Sequence, residues 1–91
     1  MLTKKTYANG QKAHELEGTR LTYFFKNGKV KAEGDFDDDN MEGEWKFYRE
    51  TGQLWQVSNF TKGKKNGFWV RYDRNGQLEY QEAFENDKRM K

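Results

Sequence analysis

The chain has no cysteine, no proline and no isoleucine, and only one histidine and one serine among its 91 residues. Without cysteine there is no disulfide framework, no thiolate metal site and no thiol nucleophile. The lone His14 and Ser58 allow a Ser-His-Asp arrangement to be built in one way only. That way joins a degenerate N-terminal segment to a strand, so His14 reads as a surface or cap residue. Long apolar runs are missing too. None approaches membrane-spanning length, and the opening "MLTKKTYANG" lacks the apolar stretch of a signal peptide. A soluble, cytoplasmic protein is the expectation.

Aliphatic side chains are scarce. Leucine, valine and phenylalanine together number 15 of 91 residues, and mean hydropathy is -1.33. That level points to disorder when net charge is also high. Here net charge is only +2, from 17 basic and 15 acidic residues, and aromatics make up 16% of the chain. Aromatic rings bury a large area each and suit pleated sheets. A chain of this length buries about 60–65% of its extended surface, enough for one small domain or a short stack of repeats. The composition therefore predicts a folded β domain with an aromatic core. The slight basic excess does not by itself imply nucleic acid.

A shift of twenty-four residues lays the chain on itself. Gly43 falls on Gly67, Trp45 on Trp69, Tyr48 on Tyr72, Gly52 on Gly76, Leu54 on Leu78 and Phe60 on Phe84. Shifted the other way the copy weakens: Gly28 matches Gly52, Phe36 matches Phe60, and Leu21 takes the Trp45 place. A fixed period in this range marks a repeat architecture. The division that follows is a degenerate cap over 1–18 and repeats over 19–42, 43–66 and 67–91, the last with a basic tail.

Each repeat decodes as two strands. The first is short ("GEWKFY", "GFWVRY"), and a turn containing Gly28, Gly52 or Gly76 supplies the positive φ that tight hairpins demand. The second strand ("QLWQVSNF", "QLEYQEAF") places Leu54 and Phe60 six apart, which predicts one shared face. Trp45 and Tyr48 are three apart, so either the strand bulges or Tyr48 belongs to the turn. The expected fold is an all-β antiparallel meander of hairpins forming an elongated, twisted, single-layer sheet. Trp45, Trp69, Tyr48, Tyr72, Phe36, Phe60 and Phe84 would form its stacking layers. Trp55 stands apart, because its counterparts are Lys31 and Glu79 and the repeat requires no ring there.

The pattern Gly43-x-Trp45-x-x-Tyr48-x-x-x-Gly52-x-Leu54, followed by Phe60-x-x-Gly63-x-x-x-Gly67, resembles the MORN repeat. It is most similar to the longer-period bacterial variant found in antitoxin-type proteins and in others of unassigned role. The resemblance covers about residues 18–90 and implies a recognition and assembly module rather than one particular activity. Thr19 at the Gly43 place and Asp87 at the Gly63 place mark degenerate end copies, as terminal caps often are.

No catalytic constellation is visible, and no cofactor is expected. Asp35, Asp37 and Asp39 occupy positions 1, 3 and 5 of an EF-hand-like loop, but position 12 is Lys46 where a bidentate Glu is required. They are at most a weak divalent site. The corresponding turn one repeat later carries Lys62, Lys64 and Lys65, and the next Lys88, Arg89 and Lys91, so these loops run from acidic to basic. Such charges govern encounter and partner choice more than affinity. With Trp55, they are the candidate binding residues. The expected role is a non-catalytic module for protein–protein interaction or self-association through sheet edges, antitoxin-like in its narrower form. The alternative is an anionic-lipid surface module. No nucleic acid is expected, since no stripe of basic and aromatic residues appears.

Overall fold

The computed structural model describes residues 6–90. Among them, nine strands form one antiparallel sheet in meander order, open at both ends and without a helix. They are β1 (His14–Glu17), β2 (Arg20–Phe24), β3 (Val30–Asp37), β4 (Asn40–Tyr48), β5 (Leu54–Thr61), β6 (Lys64–Lys65), β7 (Gly67–Tyr72), β8 (Leu78–Glu85) and β9 (Lys88–Arg89). The sheet spans 45 × 35 × 17 Å. Its radius of gyration is 14.0 Å, against about 12 Å for a compact domain of this length. The fold is a slab one sheet thick.

Two series of turns line the two sides of the slab. On one side the same hairpin loop occurs four times, over 7–11, 25–29, 49–53 and 73–77. In each, the glycine N–H returns to the carbonyl three residues earlier, as from Gly52 to Arg49 at 2.8 Å, and the flanking pair closes the loop. Gly28, Gly52 and Gly76 have φ of 89°, 97° and 80°, the left-handed region a three-residue hairpin loop requires. Side chains tie each turn to the next: Asn9 to the Lys26 carbonyl, Asn27 to the Glu50 carbonyl, and Gln53 to the Arg74 carbonyl at 2.7 Å.

On the other side the turns have two residues, Asp38–Asp39, Lys62–Gly63 and Asn86–Asp87, all with positive φ. They dock with a period of twenty-four: Gly63 N–H donates to the Met41 carbonyl, and Asp87 N–H to the Lys65 carbonyl. The Asp at the Gly63 place therefore keeps both the turn and its docking bond, since Asp tolerates this conformation locally.

Two irregularities repeat along the sheet. Phe47 faces Gln56 while Tyr48 faces Leu54, so Trp55 is an extra, bulged residue; Lys31 and Glu79 are its counterparts. The bulge lies in the second strand rather than the first, and Tyr48 is still part of β4, so the three-residue spacing of Trp45 and Tyr48 sets them on opposite faces. The bulge corrects the expectation for Leu54 and Phe60. Leu54 pairs with Tyr48 and Phe60 with Gly43, five residues apart along β4, so the two stand on opposite faces. The second irregularity sets Gly34 against Gly43, Glu44 and Trp45 together. The Trp45 indole N–H donates to the Asp35 carbonyl at 2.8 Å, and Trp69 repeats this to Asn59 at 3.0 Å.

The core lies on one face. Leu21, Ala32 and Trp45 are buried, with Tyr23, Phe36, Met41, Phe47 and Phe60 packed against them. Trp69 and Phe84 continue this layer with Phe60, ring to ring at 5.3 and 5.5 Å. Tyr48 and Tyr72 lie on the opposite face, so the expected aromatic set divides between the two. There the Tyr48 hydroxyl donates to Glu33 Oε2 at 2.6 Å. That bond, with partial burial, pushes the Tyr48 phenol pKa up to about 12.

Candidate functional site

Trp55 owes its position to the bulge. Two guanidiniums lie over its half-buried ring, Arg71 at 5.1 Å and Arg49 at 5.9 Å from the centroid. Arg71 is oriented from below, donating through Nε and Nη2 to Gln56 Oε1 at 3.2 and 3.0 Å. Gln56, itself buried, donates in turn to Ser58 Oγ at 2.9 Å. Arg49 Nη2 donates to the Tyr72 carbonyl at 3.1 Å. Beside Trp55 opens a groove of about 420 Å³ lined also by Phe25, Tyr48, Arg49, Glu50, Thr51 and Arg74.

The lysine loops divide into used and unused cations. Lys65 pairs with Phe60, on the core face, and its ammonium lies 4.8 Å from the Trp69 ring and 4.9 Å from Phe84. Its stem fills the slot that Met41 occupies one repeat earlier, so it covers core aromatics. Arg89 takes the same slot one repeat on and pairs with Glu82 at 3.1 Å. Lys62, Lys64 and Lys88 are exposed. Lys91 lies outside the described residues.

The acidic stretch does not converge. Asp35 faces Arg20, Asp37 closes a hairpin opposite Asn40, and Asp39 sits in the turn between. Among the described residues no group of three or more His, Cys, Asp or Glu side chains has the arrangement to hold a metal ion. His14 on β1 is four strands from Ser58 on β5, roughly 19 Å at the usual strand spacing, and Ser58 Oγ is taken up by Gln56.

Sequence reasoning missed Phe25, Arg49, Arg71 and Arg74. A signal was present, because Phe25 and Lys31 occupy the same repeat positions as Arg49 and Trp55 with the ring and the cation exchanged. Both pairs touch, Lys31 lying 5.9 Å from the Phe25 ring.

These features define a class: an open, single-layer hairpin-repeat protein with a surface groove of rings and cations. The family described as MORN repeat variant matches three consecutive segments, 16–38, 41–62 and 65–86, well over half of the chain. The chain belongs to that family, whose repeats are generally non-catalytic binding modules. Comparison with curated proteins gives no match, and comparison with solved structures gives none.

Proposed function

We propose that this protein is a non-catalytic module that mediates protein–protein interaction or assembly. The observation that carries the reading is the outer edge of β8. One side of that strand pairs with β7 along its length, while the other meets β9 only at Phe84 and Glu85, with Met90 N–H reaching the Ala83 carbonyl. From Leu78 to Glu82 the outer backbone has no strand partner among the described residues, and Leu78, Phe68 and Met90 are exposed nearby. Open strand edges pair with other chains unless they are blocked.

Size-exclusion with light scattering over a concentration series, together with a pull-down, tests the reading. Self-association or a captured protein is the expected result; a strict monomer that captures none overturns it. The narrower, antitoxin-like form requires that co-expression of the captured partner and this chain relieve a growth defect caused by the partner alone. The anionic-lipid alternative draws less support. Lys65 and Arg89 are engaged with core rings and Glu82, and the Asp38–Asp39 turn borders the Lys62–Gly63 turn. Co-sedimentation with anionic liposomes at physiological salt would revive it.

A further inference from the structure

The groove beside Trp55 has an unusual charge balance. Two cations, Arg49 and Arg74, line it, and two more lie against its rings, Lys31 against Phe25 and Arg71 against Trp55. Glu50 is the single carboxylate that lines it; Glu33, which accepts from the lining Tyr48 hydroxyl, is paired with Arg20. None of the four cations is ion-paired; the salt bridges among the described residues join Lys12 to Glu15, Arg20 to Glu33 and Arg89 to Glu82. The Arg74 guanidinium makes no hydrogen bond among the described residues, and the Arg49 Nε, shut off from solvent, has none either. The exposed Arg74 guanidinium has its whole fork free, and a carboxylate presented to such a group forms strong, charge-assisted bonds. A recess with such a surplus of positive charge concentrates anions.

The aromatic part narrows the ligand further. Trp55 and Phe25 offer apolar lining in the same groove, whose 420 Å³ lies within the range of sites that take a few side chains or a small molecule. The Trp55 ring is half-buried in the groove wall, so it is reached from within the groove rather than by a flat bilayer. We propose that the groove binds an acidic peptide segment of a partner protein. An aromatic or aliphatic side chain sits against Phe25 and Trp55, and flanking carboxylates are held by Arg49 and Arg74. This rests on the interaction reading above and names the chemistry of the partner.

The test is an amide NMR titration of the full chain with a capped Glu-Glu-Phe-Glu-Glu peptide and with its Gln-Gln-Phe-Gln-Gln counterpart. Saturable shifts at Phe25, Arg49 to Thr51, Trp55 and Arg74 are expected, with the glutamine peptide about tenfold weaker or worse. Arg74→Glu, on an exposed turn remote from the core, and Trp55→Ala should each weaken the acidic peptide by a similar factor. Equal binding of the two peptides, shifts centred on Lys62 and Lys64, or full affinity in Arg74→Glu would each overturn the proposal. Phosphatidylserine vesicles that bind through the same residues while the peptide does not would overturn it as well. Failure here is separable from failure of the module reading. A wild-type chain that self-associates or captures a partner yet shows no preference for the acidic peptide would leave the module standing and remove the groove.

Discussion

Trp45 and Trp69 occupy the same place in successive repeats and have the same backbone around them, yet they live in different surroundings. Each follows a positive-φ glycine and each donates its indole N–H to the carbonyl ten residues earlier. Trp45 is fully buried, packed with Leu21, Ala32, Tyr23 and Phe47 over Gly34. Trp69 is half-buried, and its neighbours in the corresponding slots are Ser58 in the Gly34 place, Arg71 in the Phe47 place and Lys65 in the Met41 place. The hairpin geometry is thus common to the repeats, while a few variable slots decide how dry each layer is. The N-terminal half serves as the core, and the later layers trade burial for polar and cationic contacts.

The largest test of this contrast removes the rings. Trp45→Ala should cost about 3–5 kcal/mol, much of the stability of a small domain. Trp69→Ala, with only part of its ring covered, should cost about half as much. Urea denaturation of both variants decides; equal losses would show that the layers are energetically alike. Gly34 sharpens the same point, because a Cβ there would overlap the Trp45 indole. Gly34→Ala should lose about 1–3 kcal/mol through forced displacement of the ring. Ser58→Ala, which removes a hydrogen bond from Gln56, should lose only about 1 kcal/mol.

The Lys65 slot gives a smaller effect. If the stem matters more than the charge, Lys65→Met should change stability by less than about 1 kcal/mol, since thioether packing replaces a cation–π contact of that size. Lys65→Ala, which uncovers Trp69 and Phe84, should then be the more damaging change in the same denaturation series.

The smallest expected effect lies on the opposite face. Tyr48 ionises from a pKa raised from 10.0 to about 12 by its hydrogen bond to Glu33. A raised folded-state pKa favours the protonated phenol in the native state, so its contribution is complete below pH 10 and is lost between pH 10 and about pH 12. In Glu33→Gln an ultraviolet titration of phenolate should show this tyrosine moving back toward the ordinary value. An unchanged curve would mean that burial, not Glu33, sets the shift.

The twenty-four-residue identity of Gly52 with Gly76, Trp45 with Trp69 and Phe60 with Phe84 was enough to read the meander, because turn glycines and alternating rings act locally. The pairing of Leu54 with Phe60 misled, because counting by two presumes an unbroken strand and the bulge at Trp55 inserts one residue. Trp55 was visible as a ring the repeat does not require. Its companions Arg49, Arg71 and Arg74 were not, since isolated arginines carry no pattern until strands and turns bring them together. Lys65 shows the opposite failure. A charge run reads as surface, yet the position of Lys65 opposite Phe60 lays its stem over two rings.

The amino-acid sequence by itself determined the repeat, the turn positions and the all-β character. Those rest on short-range requirements: positive φ at glycine, small loops between strands, and large rings where aliphatic residues are few. Only the tertiary structure decided which face each ring joined, which cations were already engaged, and where guanidiniums without a carboxylate partner gathered around Trp55. These depend on strand register and bulges, which couple residues about twenty apart and are set by the packing of the whole sheet.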